Sequence, residues 1–339
     1  MNITLKQLQV FMAVARLQNL SRASEVLFMT KGAVSQSLGE LERRLGVALF
    51  DRAHPKLHLN HEGKRLLPLA DELVHRAEDI ERSFSDAAHE GPEGNFLRVG
   101  CSKTIGNYIM PELLAGFSDK EGWLPDVTIA NSSEILKMLT SFTLDAALLE
   151  GEERLPEIMF EPWIEDEMVV IAPPGHRLAQ EGPHLPRELV RERWIVREVD
   201  SGSREFFNHT LVPLVEPLTI ALTLSSPATI VRSVAQGLGL AFMSRLSATR
   251  SVDSGGVAVI ALTEHFSRTF SICCHSRKYH SSAMRAFLSY CRDVQDMCLH
   301  SDASAATGSR SEALRAGANP KMRPVANEHD KAKSAGETE

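Results

Sequence analysis

Hydrophobic residues recur at helical spacing in three short segments at the start of the chain. Thr4 followed by Gln7 is a capping box and predicts a first helix over residues 5–17. Ser21 is predicted to cap a second helix and Thr30 a third, because both hydroxyls can accept from the first free backbone amides. Two short helices that follow each other across a tight turn are typical of a helix-turn-helix.

The third predicted helix, which ends at Gly46, carries small and polar residues near its start. A recognition helix must enter a major groove about 12 Å wide and hydrogen-bond to base edges there. Ser35 and Gln36 can do so, and Lys31 can reach phosphates. The pattern favours double-stranded DNA as a partner, and an ordinary helical-bundle fragment is the alternative. The predicted DNA-binding residues, which include two in a predicted hairpin, are Arg22, Lys31, Gly32, Ala33, Ser35, Gln36, Arg43, Arg52 and Lys56.

The charge is unevenly distributed along the chain. The whole chain of 339 residues carries a net charge of -7, but residues 1–65 carry ten basic and five acidic side chains. A small basic segment joined to an acidic remainder indicates a local contact with a polyanion. The N-terminus does not resemble a secretory signal, and five scattered cysteines do not suggest a disulfide framework. We therefore expect a cytoplasmic protein with reduced thiols and no membrane contact.

A different periodicity follows residue 60. Large and small apolar residues are spaced alternately by four and three positions, which predicts a long helix with a partner helix. We expect this partner to be a second copy, because a palindromic DNA site needs a two-fold protein. Packing on the helix's own chain is the alternative. The predicted seam consists of Leu66, Ala70, Leu73, Ala77, Ile80 and Phe84.

From about residue 96, short apolar runs alternate with helical patterns, among them a predicted helix over 105–117 and a predicted strand over 168–172. This alternation predicts an α/β fold with largely parallel strands. Several predicted strand-to-helix junctions are rich in hydroxyl and basic groups. Helix capping explains each junction alone, but together they predict a small anionic effector at the carboxyl ends of the strands. The predicted effector-binding residues are Ser102, Lys103, Thr104, Asn131, Ser132, Arg197, Ser201, Ser203, Arg204 and Thr229.

Residues 21–27, 33–38 and 41–52 resemble the winged helix-turn-helix of LysR-type transcriptional regulators, most specifically in the run Leu-Glu-x-x-Leu-Gly-x-x-Leu-Phe-x-Arg. The resemblance implies a DNA-binding domain, a dimerising linker helix and an effector domain of type 2 periplasmic-binding-protein architecture with two subdomains. The implied ranges are 1–60 for the winged helix-turn-helix, 61–89 for the linker helix, 90–95 for a hinge, 96–300 for the effector domain (subdomain I about 96–163 and 269–298, subdomain II about 167–264), and 301–339 for a disordered tail.

The same resemblance implies a ligand-responsive regulator that binds an interrupted palindrome as a dimer or tetramer, with RNA polymerase as a further partner and no cofactor. Residues 102–108, 161–167 and 197–205 resemble the branch of this family tied to sulfur metabolism and sulfite response. That branch implies a sulfite-like oxyanion. Regulators of carbon-dioxide fixation share much of the pattern, so a phosphorylated or carboxylated metabolite remains open.

Two other classes of function are weighed against this one. A solute-binding protein would share the two-subdomain fold, but a basic DNA-binding segment argues against it. An enzyme would need convergent acid and base groups, and neither Cys101 nor Lys103 has a base at useful spacing. His54, His58 and His61 are spaced like metal ligands, but histidines are ordinary in a wing near phosphates, so no metal is expected.

Overall fold

Three helices and a hairpin form the first part of the chain, here called the head. The computed structural model describes residues 3–53, 56–84, 97–151, 153–180 and 182–304. The predicted hinge at 90–95, residues 85–89 of the predicted linker helix, residues 305–339 of the predicted tail, and His54 lie outside these ranges. Residues 301–304, which were predicted to belong to a disordered tail, form the end of the last described helix. The helices of the head are α1 (Leu5–Leu17), α2 (Leu20–Val26) and α3 (Lys31–Leu45), and the strands of its wing are β1 (Phe50–Ala53) and β2 (Lys56–Leu59).

Local capping explains where these helices begin and end. The Thr4–Gln7 capping box is present, Thr30 accepts from the Ala33 amide, and Gly46 ends α3 with φ +73°. The prediction that Ser21 caps α2 is wrong, because the Asn19 side chain caps it two residues earlier. An asparagine amide oxygen serves this purpose as well as a serine hydroxyl does.

A long linker helix, α4 (His61–Phe84), follows the wing. Its 24 residues span about 36 Å. The Asn60 side chain accepts from the Gly63 amide at 2.9 Å and so caps the helix. Gly63 packs directly on the backbone carbonyl of Leu49, where a larger residue would collide with it. The start of the linker helix is therefore fixed against the wing.

The remaining described chain, residues 97–304, is here called the body. It consists of strands β3 (Arg98–Ser102), β4 (Asp126–Ala130), β5 (Ala146–Leu149), β6 (Ile158–Ala172), β7 (Arg193–Arg197), β8 (Thr219–Leu224), β9 (Ala241–Ser244), β10 (Ala258–Ile260) and β11 (Phe266–His275). Its helices are α5 (Lys103–Tyr108), α6 (Met110–Glu121), α7 (Ser132–Thr140), α8 (Arg177–Gln180), α9 (Gly202–Thr210), α10 (Val212–Val215), α11 (Pro227–Ala235), α12 (Arg245–Asp253) and α13 (Ser282–Ser304), with a 3-10 turn at Pro186–Leu189.

Two long antiparallel strands, β6 and β11, pass through both lobes of the body. The main sheet has the order β10-β6-β11-β5-β3-β4, and β9 also pairs with β6. Trp163 and Phe270 lie in the core of the first lobe, whereas Met168 and Phe266 pack in the core of the second. The strands therefore change lobes between these residues, where Asp166 lies opposite Arg268. This α/β architecture with two lobes is the predicted fold class. The expectation of largely parallel strands is wrong, because β6 and β11, which cross between the lobes, are antiparallel to each other and to their other neighbours. Among the described strands of the body, only β3–β4, β3–β5 and β7–β8 pair in parallel.

Several elements of the body differ from the sequence prediction. The single helix expected at 105–117 is divided into α5 and α6, because Pro111 begins a new helix. The strand expected at 168–172 is the end of the much longer β6. Helix α12 was not predicted, since it buries only Ala248 and so has no apolar stripe. None of the described helices is long and apolar enough to cross a membrane.

Candidate functional site

The recognition helix α3 has one buried face and one exposed face. Val34, Leu38 and Leu41 pack in the core of the head. Ser35 and Gln36 are exposed. Since they lie within the first two turns, their side chains are available to a partner at the start of the helix. A recognition helix contacts base edges through residues near its N-terminus, which is where these two side chains lie.

The other predicted DNA-binding residues fall into three groups. Arg43 is exposed and donates to Glu40 at 3.1 Å, and Ala33 is half-buried. The side chains of Arg52 and Lys56 in the wing lie outside the described part of the structure. The remaining positions are all exposed: Arg22, Lys31 and Gly32.

One face of the linker helix packs on its own chain. Leu67, Ala70 and Val74 are buried in the core of the head, alongside helix α1. Ala70 was predicted to lie in the seam with a second copy, and this placement is wrong. Its side chain is fully buried within one chain, because the helix must also cover α1.

The opposite face of the linker helix is apolar and open to solvent. Leu69 and Leu73 are 57% and 50% exposed, and Ile80 is 61% exposed. Leu66 and Ala77 are half-buried on this helix, and the side chain of Phe84 lies outside the described part. The outward stripe therefore contains Leu69 where the heptad pattern had predicted Ala70.

The predicted hydroxyl donors of the first lobe converge on a carboxylate of the chain itself. Ser102 ends β3 and caps α5, and its hydroxyl donates to Glu150. Thr104 donates to the same carboxylate at 3.1 Å, and Ser132 donates to the Glu150 carbonyl oxygen at 2.9 Å. Glu150 directly follows β5 and is 4% exposed. The hydroxyl groups that the sequence predicted to bind an anionic effector therefore donate to Glu150 of the chain itself.

Arg268 joins the two lobes beside Glu150. Its guanidinium donates to Asp166 at 2.9 Å and to the Ser203 hydroxyl of α9 at 3.0 Å, and it lies 3.9 Å from Glu150. Burial raises the pKa of Asp166 although the charge of Arg268 opposes this. Among the described residues, no partner accepts from Arg268 Nη2. Ser102, Glu150, Asp166, Ser203 and Arg268 are called the cleft cluster below.

A second contact across the cleft involves Lys103. Its ammonium lies 2.9 Å from Glu198, which also accepts from Arg197. Burial raises the pKa of Glu198, but hydrogen bonds from Arg197 and Lys103 outweigh it and lower the value overall. Arg204 donates to Asn208 and to the Arg197 carbonyl oxygen. The basic residues predicted to bind an anion are therefore engaged with groups of the chain.

The remaining predicted effector residues serve mainly as helix caps. Asn131 caps α7 and Ser201 caps α9 through their side chains. Thr229 lies exposed in the first turn of α11, which Ser226 caps. A Cβ added at Gly202 would lie 2.6 Å from the Glu150 carbonyl oxygen. Only glycine fits at this approach of the two lobes.

A cavity of about 420 Å³ opens beside this approach, between α7 and α9. Ser132 and Ser201 line it, as predicted for a ligand site, and Ser271 of β11 adds a third hydroxyl. Its charged lining is acidic, which is opposite to the charge predicted for an anion site. The titratable lining residues are Glu150, Glu153, Asp200, Glu205 and His209.

A buried group of charges joins the head, the linker helix and the body. Lys278, just beyond β11, places its ammonium 2.7 and 2.8 Å from the Asp71 carboxylate of α4 and 2.6 Å from Asp145. Arg98 donates to Asp145 at 2.6 Å, and Arg16 of α1 lies 3.3 Å from Asp71. These five residues are called the head–body ion cluster below.

The charges of this cluster stabilise one another. Burial alone would raise the pKa of Asp71, but hydrogen bonding from His75 and the charge of Lys278 lower it overall. The pKa of Asp145 is likewise lowered against burial by Lys278 and Arg98. Both carboxylates are therefore ionised at neutral pH. Burial, with repulsion from Arg98, lowers the pKa of Arg16 to about 10, which still leaves it charged.

Asp71, His75 and Asp145 also lie close enough to hold a metal ion, with one ligand atom from each within 4.8 Å of the others. The ammonium of Lys278 already lies between the two carboxylates. It supplies the positive charge that a cation would otherwise bring, so the arrangement is that of an ion-pair network.

Sequence reasoning missed the residues that organise both clusters. A signal for two of them is present: the apolar strand Ala146–Leu149 is flanked directly by Asp145 and Glu150. An acid at each end of a strand buried along its whole length needs a partner at each end. The sequence holds no comparable sign for Lys278, whose partner is 207 residues away.

Family models match both parts of the chain. A model described as "Bacterial regulatory helix-turn-helix protein, lysR family" matches residues 5–64, and one described as "LysR substrate binding domain" matches residues 90–296. The "Uncharacterized HTH-type transcriptional regulator YeiE" of Escherichia coli K12 is 35% identical over 293 residues, which cover 86% of this chain and 98% of that protein.

Two further proteins extend the comparison. The HTH-type transcriptional regulator CysL of Bacillus subtilis is 32% identical over 239 residues, covering 70% of this chain and 79% of its own. The structure of a full-length OxyR variant from Pseudomonas aeruginosa superposes with a TM-score of 0.68, over 86% of this chain and 95% of that one. The two chains are 20% identical, so the likeness shows a shared fold. The two relatives named from sequence, YeiE and CysL, are described as transcriptional regulators.

The described thiols are protected from reaction by burial. Burial, with a smaller effect of the Glu150 charge, raises the pKa of Cys101 to about 12. Burial also raises the pKa of Cys273, Cys274 and Cys291. Cys273 and Cys274 lie in different cores, because successive side chains of β11 point to opposite faces of the sheet.

We expect these four thiols to resist labelling in the native chain. Only the thiolate reacts, so at pH 8 about one Cys101 side chain in ten thousand is reactive. In a Cys298→Ser variant, a chromogenic disulfide should label the native protein at least about 100 times more slowly than the urea-unfolded protein. The Cys101 rate should rise about tenfold per pH unit below pH 12. Native labelling at the unfolded rate would contradict the assignment.

Proposed function

Because the chain belongs to the LysR family of transcriptional regulators, we propose that it binds an interrupted palindrome as a dimer or tetramer, in the cytoplasm, under the control of a small molecule in its cleft. Like the rest of the family, it is a DNA-binding regulator with an effector-binding domain. The observation that carries the proposal is the exposed tip of α3, with Ser35 and Gln36 open to a partner.

Sequence reading is assigned to the two polar side chains at this tip. A glutamine can make two hydrogen bonds to adenine, and a serine hydroxyl can bond to several bases. Lys31 and the other basic residues of the head contact phosphates, which supplies affinity without sequence preference. We assign Arg22, Arg43, Arg52 and Lys56 to this second role.

The second copy binds along the outward stripe of the linker helix. Leu69 and Leu73 stand about half exposed on a helix whose other face is already covered. Exposed leucines four residues apart on one helix are typical of a helix-to-helix interface. A two-fold pair of heads then matches the two halves of a palindrome. RNA polymerase is a further partner that the family membership suggests.

For the effector, two lines of argument point to different ligands. The acidic wall of the cavity favours a small ligand with an ammonium group, since Glu150, Glu153 and Asp200 would repel an anion. The segments that resemble the sulfur-related branch favour a sulfite-like oxyanion, which would have to compete with Glu150 for Ser102 and Thr104. We assign the ammonium-bearing ligand to the site and keep the oxyanion as the second candidate.

Changes at the tip of α3 are expected to separate specific from non-specific binding. The specific duplex is one that the unaltered chain selects from a random library. Ser35→Ala and Gln36→Ala should each weaken binding to this duplex by about 1–3 kcal/mol, with little effect on binding to a scrambled duplex. Lys31→Ala should weaken both duplexes and lower the salt slope by about one. Fluorescence anisotropy at several salt concentrations measures all three.

Gln236→Ala, an exposed glutamine of the body, is the matched control. Unchanged preference for the selected duplex in both Ser35→Ala and Gln36→Ala would refute the assignment of the reading residues.

The outward stripe is tested by Leu73→Glu. A charge placed in an apolar interface should shift the dimer–monomer equilibrium by at least about tenfold toward monomer. Light scattering during gel filtration, over a range of protein concentrations, measures this. Leu214→Glu, on an exposed leucine of α10, serves as the control and should leave the mass unchanged. A dimer equally stable in both variants would rule out this interface.

The effector assignment is tested by isothermal titration of the full chain with O-acetylserine, which carries a free ammonium group, and with sulfite, sulfate and phosphate. We expect heat with O-acetylserine and at least about tenfold weaker binding in Glu150→Gln, which lacks the charge. Glu134→Gln, an exposed acid of α7, is the control. If sulfite binds and O-acetylserine does not, the oxyanion is favoured. If none of the four compounds gives heat, O-acetylserine is rejected as the ligand of this site.

A further inference from the structure

Two neighbouring strands of the body each connect the head–body ion cluster to the cleft cluster. Strand β3 begins at Arg98, in the first cluster, and ends at Ser102, in the second. Strand β5 lies between Asp145, in the first cluster, and Glu150, in the second. The ends of these connections are about 13–17 Å apart.

A third strand, β11, makes the same connection in the opposite direction. Arg268 near its start belongs to the cleft cluster, and Lys278 lies three residues beyond its end. Near that end the His275 ring lies 4.4 Å from the ring of Phe142. Phe142 itself packs in the core of the head, and its carbonyl oxygen accepts from Arg16 at 3.0 Å. Strand β11 therefore reaches the head as well as the cleft.

The three strands are paired side by side in one sheet. Strand β5 lies between β11 and β3, and Leu148 is opposite both Ile272 and Cys101. All residues of β3 and β5 are buried. A displacement at one end of a short, fully packed strand cannot be absorbed within it, because close-packed interiors shift as units.

We propose that these three strands couple the cleft to the linker helix, so that a change in the contacts of Glu150 changes how firmly Asp71 is held. Lys278 is the positioning residue, because its ammonium binds both Asp145 of the body and Asp71 of the linker helix. The regulatory use of this coupling rests on the proposed function, but the coupling itself is a property of the chain alone.

The test is a double-mutant cycle read by hydrogen exchange of the full-length chain, without DNA or effector. The variants are Glu150→Gln at the cleft, Lys278→Met at the ion cluster, and both together. The readout is the exchange rate of the amides of α4. Glu150→Gln alone should speed exchange in α4 at least about threefold, and should add nothing when Lys278 is already replaced.

Two matched controls accompany the cycle. Lys120→Met removes an exposed lysine that pairs with Asp293 in the same lobe, and Glu134→Gln removes an exposed acid of α7. Neither should alter exchange in α4. If Lys278→Met does not fold, the variant Asp71→Asn/Lys278→Met, which removes one buried charge of each sign, takes its place in the cycle.

Two results would overturn the coupling. One is a Glu150→Gln effect on α4 of the same size with and without Lys278. The other is an effect confined to the cleft, with α4 unchanged. Because no ligand enters this experiment, failure of the DNA or effector assignments leaves its outcome unaffected, and its failure leaves those assignments intact.

Discussion

The ammonium of Lys278, held between the carboxylates of Asp71 and Asp145, ties the linker helix to the body. All three residues are at most 7% exposed, and they come from the segment after β11, the linker helix and the position directly before β5. Removing one partner of a buried ion pair costs about 3–5 kcal/mol, because the remaining charge stays buried without compensation. The positions of the head and the body are thus decided by a charge balance and not only by apolar packing.

A second group of buried charges, the cleft cluster, lies between the two lobes of the effector domain. The donors at the end of β3 are directed to Glu150, and Arg268 spans both lobes. The protein therefore already holds an anion at the position where helix N-termini and hydroxyls would attract one. The cavity beside this carboxylate is lined by further acids, Glu153 and Asp200, so an anion placed there would be repelled by its surroundings.

Features that depend on neighbours in sequence could be predicted. Thr4 and Thr30 begin helices through their side chains, Gly46 ends one through its backbone freedom, and these predictions are confirmed. The heptad pattern placed a dimer seam on α4, but it could not separate Ala70, which covers the chain's own α1, from Leu69, which faces solvent. Both residues are apolar and adjacent in the pattern. Only the position of α1 distinguishes their environments.

The candidate effector residues show a second limit of sequence reasoning. Ser102, Thr104 and Ser203 were correctly gathered toward one cleft, since the ends of strands in one sheet lie together. Their acceptors and donors, Glu150 and Arg268, are 46 to 65 residues distant from them. A pattern of hydroxyls shows that hydrogen bonds can form but not whether a ligand or the chain supplies the other partner.

The participation of Arg16 in the head–body ion cluster limits how freely this protein can be recombined with others. A chimaera that joins a foreign head to this linker helix at residue 60 would retain Asp71 but lose the guanidinium of Arg16 that lies beside it. It would also lose the donor to the Phe142 carbonyl oxygen. Grafts of DNA specificity onto this body are therefore best made by exchanging the exposed surface of α3 alone, with α1 left in place.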